Sequence, residues 1–379
     1  MTRICFLRVG ATPLFLPKSK GKFGGAEVRA LTFARGLAQR GNHVDFAVAA
    51  HDGLPTASPE GIHVVPLPGK VRGIKKFVRS IRGRLSNVPQ SFPAIKHIDA
   101  PIIGCFGVHS PTAQVIAAAK AVGKKTILFL TSSEDVSNDN IESAKGKRQR
   151  TQHRYALLKA DRIVVQTETQ LADLQRRFSR QGTLIKNPID THIADDDLLH
   201  FRTHVLWIGR ADRDSKRADV CFDLARRCPE IPFHVVMNGG DEKLLQQLLT
   251  DIPYNMDVET HVPLDKIESL YKTASVLINT SVSEGFPNAF LQAMKFRTPI
   301  LSLDVNPDDV LTTYNCGTVA GSMDRMAELL PKYWPRSPLS VEQGRNARDY
   351  VEDHHSLDAR VSQLEDLIRE MAANRPAAA

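Results

Sequence analysis

The 379-residue sequence has few aromatic residues, few cysteines and no long apolar segment. Aromatic residues make up 6% of the chain and no recognition motif for nucleic acid occurs, which argues against a nucleic-acid-binding protein. No run approaches the ~18 apolar residues that a membrane-spanning helix needs. The five cysteines are odd in number and have no metal-binding spacing, so we expect reduced, mostly buried thiols in a cytoplasmic protein. The first ten residues are too interrupted for a signal peptide and instead predict a core strand.

The positive charge of the chain is concentrated in its first half. Residues 1–190 contain 30 Lys and Arg against 13 Asp and Glu, a net charge of +17, whereas the remainder contains 20 against 29, a net charge of −9. Such charge can simply follow solvated helix faces, or a basic half can bind something anionic, such as a membrane surface or a phosphate-bearing acceptor. We favour the second interpretation.

Short apolar runs alternate with helical patterns along the whole chain, which predicts βαβ units and parallel sheets. The pattern breaks near residues 187–190, and the acidic, apolar-poor stretch that follows is interpreted as a linker. The sequence therefore predicts two Rossmann-like α/β domains, at residues 1–190 and 200–355, followed by a terminal helix and tail at residues 356–379. Open α/β sheets bind ligands at the carboxyl ends of their strands, so we expect a ligand cleft between the two domains.

The most informative stretch is residues 283–294, which follows a buried-strand pattern at residues 275–279. Its turn holds Glu284 and a glycine, and a helix is predicted to begin at Asn288. The backbone N–H groups at a helix N-terminus suit phosphate or polarised hydroxyl oxygens, and a nearby carboxylate suits the hydroxyl groups of a sugar.

Two other patterns point to phosphate. Gly24 and Gly25 precede a helix after the first strand, where glycine lets the backbone approach a diphosphate, although most such pairs are only turns. The G-x-G-x-x-G spacing is absent, which argues against a dinucleotide site. Gly209 and Arg210 end the first strand of the second half, and Lys216 opens the next helix. Two cations there can neutralise a leaving nucleoside diphosphate, although a solvated basic loop produces the same pattern.

Together these motifs resemble retaining glycosyltransferase family 4, enzymes of the GT-B fold that use nucleotide-sugar donors. Residues 284–292 match the Glu-x7-Glu signature of that family, except that the second acid is Gln292 here. The resemblance implies that Arg210 and Lys216 bind the diphosphate, that Glu284 binds the sugar hydroxyls and that the second signature position binds the ribose. Gln292 can accept hydrogen bonds but lacks the carboxylate charge, so we expect weaker donor binding or altered selectivity with activity retained.

The resemblance implies further donor-binding residues in turns and at strand ends, and a terminal helix that crosses back onto the first domain. For binding the diphosphate, the resemblance leaves Arg217 as an alternative to Lys216. The resemblance also assigns to donor binding Gly24 and Gly25, in the loop before the first helix, and Gly209, at the end of the first strand of the second domain. The backbone amides near Asn288, Ala289 and Phe290 are expected to bind the phosphate or the sugar. The nucleotide is expected to contact Asn238, Gly239, His261 and Val262.

Asp212, Arg213 and Asp214 form an Asp-x-Asp pattern that could bind a hard divalent cation. GT-B enzymes usually stabilise the leaving group with cationic side chains and helix dipoles instead, and no His/Cys cluster indicates zinc. We therefore predict no metal and no cofactor apart from the nucleotide-sugar substrate.

His109 follows a predicted buried strand. A lone histidine is more often structural than catalytic, but the carboxyl end of a strand is also where site residues lie. By the family resemblance His109 contacts the transferred sugar. The polar loop at residues 131–135 either lines the acceptor side or is simply solvated.

Residues 70–84 contain seven cations and an apolar stripe at helical spacing. This pattern fits an ordinary surface helix packed on the sheet. It also fits a basic amphipathic helix on anionic lipid, where each cation contributes about 1 kcal/mol near the surface. The second interpretation predicts a cytoplasmic protein bound peripherally to the inner face of the plasma membrane.

We interpret the sequence as a retaining glycosyltransferase that moves a sugar from a nucleoside-diphosphate sugar to an acceptor hydroxyl. The acceptor is expected to be a saccharide or lipid-linked saccharide in cell-surface polysaccharide or glycolipid synthesis. The predicted catalytic residues are His109, Arg210, Lys216 and Glu284, with no protein nucleophile. Two alternatives stay open: a nucleotide-sugar epimerase, and a GT-B protein that binds sugar or a partner without catalysis, which Gln292 would favour.

Overall fold

The chain forms two compact units, the first made of Met1–Ile185 with Asp358–Ala379 and the second of Lys186–Leu357. The computed structural model describes residues 2–16, 23–67, 92–137, 147–193, 202–260, 262, 264–334 and 337–373. The predicted linker falls partly outside this range. Its described part, from Asn187 to Ile193, belongs to the second unit.

The first unit contains a seven-stranded parallel sheet in the described part of the chain. The strands are β1 (Arg3–Leu7), β2 (His43–Ala49), β3 (His63–Leu67), β4 (Ile102–Phe106), β5 (Lys125–Phe129), β6 (Arg162–Val165) and β7 (Thr183–Leu184). Their order across the sheet is β3-β2-β1-β4-β5-β6-β7. The central strands are buried along nearly their whole length, because a parallel sheet is covered on both faces.

Helices of the first unit alternate with these strands. They are α1 (Gly25–Gln39), α2 (Phe92–His97), α3 (Ser110–Ala121), α4 (Lys147–Lys159) and α5 (Glu168–Phe178), and short 3-10 turns lie at Val9–Phe15 and Ser133–Val136. α1 begins where the Glu27 carboxylate accepts a hydrogen bond from the N–H of Gly24 (2.9 Å). This bond satisfies one of the N–H groups that a helix start leaves without a partner.

The terminal helix (Leu357–Ala373) packs on the first unit, as the sequence predicts. Its Val361 side chain lies against α1 at Gly36, where a Cβ would come within 2.4 Å of Val361 Cγ2. Glycine at residue 36 therefore permits the close approach of the two helices. Polar contacts add to the packing, because Glu365 accepts a hydrogen bond from the Asn42 side chain (2.9 Å).

The second unit contains a six-stranded parallel sheet in its described part, in the order β10-β9-β8-β11-β12-β13. The strands are β8 (His204–Ala211), β9 (Phe233–Gly240), β10 (Met256–Glu259), β11 (Ala274–Asn279), β12 (Ile300–Ser302) and β13 (Gly317–Val319). The chain moves outward from β8 in one direction and then in the other, so the strand order reverses at β8. In open α/β sheets ligands bind beyond the carboxyl ends of the strands at such a reversal.

Helices of the second unit cover this sheet. They are α6 (Ala218–Arg227), α7 (Glu242–Leu249), α8 (Leu264–Thr273), α9 (Asn288–Lys295), α10 (Val310–Thr313), α11 (Met323–Leu329) and α12 (Pro338–His355), with 3-10 turns at Pro307–Asp309 and Leu330–Tyr333. The fold class predicted from the sequence, two Rossmann-like α/β units with a terminal helix that returns to the first, is confirmed.

A buried histidine at the start of β8 is expected to make stability depend on pH. His204 is 9% exposed, and its ring lies 5.3 Å from that of His234, which is hydrogen-bonded to Glu259 (2.7 Å). Burial, and then the neighbouring His234 charge, lower the pKa of His204 to about 4. The unfolded chain therefore binds the proton more tightly, so stability is retained above pH ~6.5 and is lost as the pH falls towards 4. Between pH 7.5 and 5 the expected loss is about 2 kcal/mol.

Urea unfolding of wild type and of His204→Phe at both pH values measures this effect. The variant should lose about 2 kcal/mol less than wild type between pH 7.5 and 5, because phenylalanine does not titrate. A His51→Gln control, which replaces an exposed ring, should keep the wild-type pH dependence. Equal losses of stability in wild type and His204→Phe would show that another group causes the destabilisation at low pH.

Candidate functional site

Predicted site residues of the second unit lie at the carboxyl edge of its sheet, where the strand order reverses. Gly209 and Arg210 are near the end of β8, and Asn238 and Gly239 are near the end of β9. Glu284 lies in the turn that follows β11. The sheet thus brings together residues that are up to 75 positions apart in the sequence.

Asp212 shapes the loop between β8 and α6. Its Oδ1 accepts hydrogen bonds from the backbone N–H groups of Ser215 (2.9 Å) and Lys216 (2.6 Å). From the other side, the Thr280 hydroxyl donates to the Lys216 carbonyl (2.7 Å). The Asp-x-Asp pattern therefore begins with a loop-stabilising residue, and within the described residues no group of three or more His, Cys, Asp or Glu side chains could hold a metal.

Lys216 forms an ion pair with Glu284, and the two side chains are 25% and 16% exposed. The neighbouring cation turns away: Arg217 has a left-handed backbone (φ +50°) and pairs with Asp304. The structure therefore places Lys216, and not Arg217, against the carboxylate of the signature. A partly buried pair of this kind interacts more strongly than an exposed one, because water screens it less.

Arg210 is the most exposed of the predicted cations. Its side chain is 59% exposed, and Nη2 lies 3.6 Å from Asp212 Oδ2. An exposed guanidinium in such a loose pair can turn to a phosphate group at little cost, because a surface ion pair contributes only ~0–1 kcal/mol.

The turn before α9 is held from behind by a buried aromatic cluster. Phe286 is 4% exposed and its ring lies 4.6 Å from that of the fully buried His355. The Asn187 side chain donates to the Phe286 carbonyl (3.0 Å). These contacts fix the turn that carries Glu284 and set the direction of α9.

α9 begins at Asn288 after Pro287, and no side chain caps it. Ala289 is half-buried, whereas Phe290 is fully buried and its N–H donates to the Pro287 carbonyl (3.0 Å). The Phe290 amide is therefore already bonded within the turn, and its predicted contact with a ligand stays a prediction.

Gln292 lies one turn further along α9 and carries an unusual polar atom. Its amide Oε1 is buried and has no hydrogen-bond partner among the described residues. A buried carbonyl oxygen without a donor costs about 1–3 kcal/mol, so such an atom calls for an explanation. A hydroxyl donor from a ligand would satisfy it.

The remaining donor-side predictions lie in the same unit. Asn238 Oδ1 is 3.5 Å from the N–H of Val262, a long contact that links the end of β9 to the segment after β10. His261 is outside the described residues. Of the pairings found here, those of Thr280 and Asp304 were missed by the sequence analysis, because no motif marks either residue.

In the glycine loop of the first unit, a nearby carboxylate already accepts a backbone N–H. Glu27 accepts the Gly24 N–H and also pairs with Arg8 (2.7 Å), which lies just after β1. Gly25 is the first residue of α1. Arg8 is a charged residue at this edge that the sequence analysis did not single out.

His109 caps α3. Its Nδ1 accepts a hydrogen bond from the N–H of Thr112 (3.2 Å). Burial, together with the nearby Arg8 charge, lowers the pKa of His109, so the ring is neutral at pH 7. The ring thus has a structural role at the helix start, and the predicted contact with the transferred sugar stays a prediction.

Two Rossmann-like units, with cations and a carboxylate at the carboxyl edge of the second sheet, define a protein of the GT-B type. Residues 23–193 match the family described as Glycosyltransferase Family 4, and residues 202–331 match Glycosyl transferases group 1. Together these matches cover most of the chain. The chain belongs to these glycosyltransferase families, as the sequence motifs predict.

Two curated relatives match parts of the chain. The UDP-N-acetylglucosamine–peptide N-acetylglucosaminyltransferase GtfA subunit of Streptococcus parasanguinis is 24% identical over 167 residues, which is 40% of this chain and 32% of that protein. The lipopolysaccharide 1,6-galactosyltransferase of Salmonella typhimurium is 30% identical over 105 residues, which is 26% of this chain and 29% of that protein. The chain thus spans about a third of the length of the curated relatives that it matches.

Solved structures show the same fold over nearly the whole chain. Sucrose-phosphate synthase from Thermosynechococcus elongatus has a TM-score of 0.75 at 17% identity, covering 99% of this chain and 100% of that one. Anabaena HepE in complex with UDP and glucose has a TM-score of 0.72 at 13% identity, covering 98% and 100%. WaaG, a glycosyltransferase involved in lipopolysaccharide biosynthesis, has a TM-score of 0.67 at 18% identity, covering 96% and 99%.

The predicted association with a membrane surface stays a prediction. Residues 70–84 lie outside the described residues. Among the helices that the structure describes, none combines the length and the apolar character that crossing a bilayer requires.

Proposed function

We propose that this protein is a retaining glycosyltransferase that moves a sugar from a UDP-sugar to a hydroxyl of a saccharide or lipid-linked saccharide, without a metal ion. The observation that carries the proposal is the Lys216–Glu284 ion pair at the carboxyl edge of the second sheet, with the exposed Arg210 at the start of the same loop. The unpartnered Gln292 oxygen, on the helix that follows the Glu284 turn, adds to it. The names of relatives support the uridine nucleotide: one acts with UDP-N-acetylglucosamine, and HepE holds UDP and glucose.

In the proposed reaction, the bond between the sugar C1 and the diphosphate oxygen breaks, and its electron pair stays on UDP. Arg210 and Lys216 stabilise the negative charge that develops there, while Glu284 orients the sugar through its hydroxyls. The acceptor oxygen bonds to C1 from the same face, and its proton passes to the departing diphosphate oxygen. Retention of configuration follows from this same-face path, and no protein nucleophile is needed.

Nucleotide binding, measured by thermal shift with UDP, GDP, ADP and dTDP, tests the donor site. UDP at one hundred times its dissociation constant should add about 2.7 kcal/mol to stability. The shift should persist in EDTA and disappear in Arg210→Ala. An Arg213→Ala control, which removes another exposed cation from the same loop, should keep it.

Four results would redirect the proposal. No shift with any nucleotide would overturn the donor site. A shift that EDTA abolishes would refute metal independence. UDP binding with no release of UDP from any UDP-sugar would favour a binding protein without catalysis. Conversion of the donor sugar to its epimer with no acceptor present would favour an epimerase, whereas release of UDP with water as the acceptor would not.

Gln292 is expected to limit the affinity for the ribose. Because hydrogen bonds to a charged group are about twice as strong as neutral ones, Gln292→Glu should bind UDP about 5- to 10-fold more tightly. Gln292→Leu, of similar size, should bind it more weakly than wild type. Calorimetry with UDP and with 2′,3′-dideoxy-UDP separates the causes: the three proteins should differ little for the dideoxy nucleotide. If Gln292→Glu and Gln292→Leu had the same effect on UDP binding, Gln292 would not contact the ribose.

We further propose that the reaction serves cell-surface polysaccharide or glycolipid synthesis. The Salmonella relative named for lipopolysaccharide and the structural likeness to WaaG support this setting. The basic first half of the chain fits an acceptor presented at an anionic membrane. Sedimentation with anionic and neutral vesicles tests the membrane part: binding to anionic vesicles should fall as salt is raised, and equal binding to both would contradict it.

A further inference from the structure

A buried histidine of the first unit has no internal partner. His153, on α4, is 5% exposed, and neither ring nitrogen has a hydrogen-bond partner among the described residues. The ring shares a helix face with Ala156 and Leu157, which are buried in the core of the same unit. Two unsatisfied polar atoms in a buried position are unfavourable by several kcal/mol in principle, so the ring calls for an explanation.

The neighbours of His153 already have their own partners. Asp135 is 6% exposed and accepts hydrogen bonds from the backbone N–H groups of Val108 (2.9 Å) and Thr131 (2.6 Å). Val108 directly precedes His109, and α3, which His109 caps, packs against α4, which carries His153. Consistent with this placement, the Asp135 charge raises the pKa of both His153 and His109. His109, at the start of α3, is half-buried and so connects this cluster to solvent.

The cluster is electrically balanced. Burial lowers the pKa of His153 despite Asp135, so this ring, like that of His109, is neutral at pH 7. Two cations act on this cluster. The buried Arg29, whose charge interacts with that of Asp135, donates to the Leu130 carbonyl (2.6 Å), and Arg8 is already paired with Glu27 (2.7 Å). A neutral imidazole presents one N–H donor and one acceptor nitrogen. A hydroxyl group, which both donates and accepts, matches this pair, whereas an anion only accepts.

We infer that His153, together with His109, forms a subsite for a neutral sugar hydroxyl of the acceptor saccharide. The inference rests on the proposed function, because it names the chemistry of the acceptor that the first unit takes. It places an uncharged part of the acceptor at this edge of the first sheet, whatever phosphate the acceptor carries elsewhere. His153 is a binding residue in this account and takes no part in bond making.

Nitrogen-15 spectra of the histidine rings, recorded while ligands are added to the full-length protein, test the subsite. The probes are the methyl α-glycosides of glucose, galactose, mannose and N-acetylglucosamine. Inorganic phosphate is the anionic probe for comparison. His153→Asn and His153→Gln identify the signal, and His51→Gln serves as a control on an exposed ring. At least one glycoside should shift the His153 signal with a Kd of about 1–10 mM, as expected for a few hydrogen bonds.

Two outcomes would overturn the inference: a shift with phosphate but with no glycoside, or no shift with any probe. The UDP thermal shift separates this result from the proposed function. If UDP binds and no glycoside reaches His153, the subsite is wrong and the donor site stands. If a glycoside shifts His153 and UDP does not bind, the subsite stands as a sugar site and the glycosyltransferase proposal falls.

Discussion

Lys216→Met is expected to lower the rate of UDP release from the UDP-sugar about 100- to 1000-fold, with little change in fold. Methionine keeps the length of the side chain but removes the charge that faces Glu284 and, in the proposed reaction, the departing diphosphate. The loss of one preorganised group that stabilises transition-state charge costs about 2.7–4 kcal/mol of barrier. Steady-state release of UDP measures the effect without requiring a known acceptor.

Two matched variants and a stability measurement make the Lys216 result specific. Lys243→Met removes an exposed lysine from α7 in the same unit and should leave the rate unchanged. Lys216→Arg keeps the charge and should recover part of the rate, although its planar group cannot occupy the position of an ammonium. The thermal midpoint of each variant excludes unfolding as the cause. A Lys216→Met protein within threefold of the wild-type rate would show that Lys216 does not act on the leaving group.

Gly240→Ala is expected to destabilise the protein by about 2–5 kcal/mol and to weaken UDP binding as well. Residue 240 has φ +118°, and an added Cβ would lie 2.3 Å from the Ala211 carbonyl oxygen. Left-handed strain costs about 1–2 kcal/mol and overpacking about 1–3 kcal/mol. Because Ala211 follows Arg210 at the end of β8, the backbone shift that relieves the clash also displaces the proposed phosphate-binding residue.

Gly321→Ala separates strain from collision. Gly321 has φ +72° in the same unit, but no atom lies within 4 Å of its would-be Cβ, so only the strain of about 1–2 kcal/mol should appear. Urea unfolding gives the two stabilities, and calorimetry gives UDP affinity, which should fall only for Gly240→Ala. Equal losses in the two variants would mean that the contact with Ala211 relaxes at no cost.

The sequence predicts best the elements that are buried, because their residues form apolar runs. The strands that carry the site, such as β8 and β11, are apolar runs that only a buried strand explains, and the signature at residues 284–292 lies in a turn and a helix as expected. The strands β7, β10 and β13 have only two, four and three residues, so no apolar run in the sequence predicts them. β10 does alternate between apolar residues (Met256, Val258) and polar ones (Asp257, Glu259), but four residues are at the lower limit of a strand signal.

The sequence predicts which charged and polar residues lie at the site better than it predicts their ion-pair and hydrogen-bond partners. Lys216 and Arg217 are equivalent cations in the sequence, and only the left-handed backbone of Arg217 directs one to Glu284 and the other to Asp304. The two glycines of the first loop predict a backbone that can approach a diphosphate, but the hydrogen bond from the Gly24 N–H to Glu27 is visible only in the folded chain. His153 belongs to no motif, because the absence of hydrogen-bond partners is a property of the folded chain alone.

The terminal helix also determines when each unit can be completed during synthesis. The second unit is one continuous segment, Lys186–Leu357, whereas the first needs Asp358–Ala379 in addition to its first 185 residues. Until the ribosome has delivered that last segment, Gly36 and the rest of the α1 face that Val361 covers have no partner. Although its strands emerge first, the first unit is therefore completed only after the second unit has been synthesised.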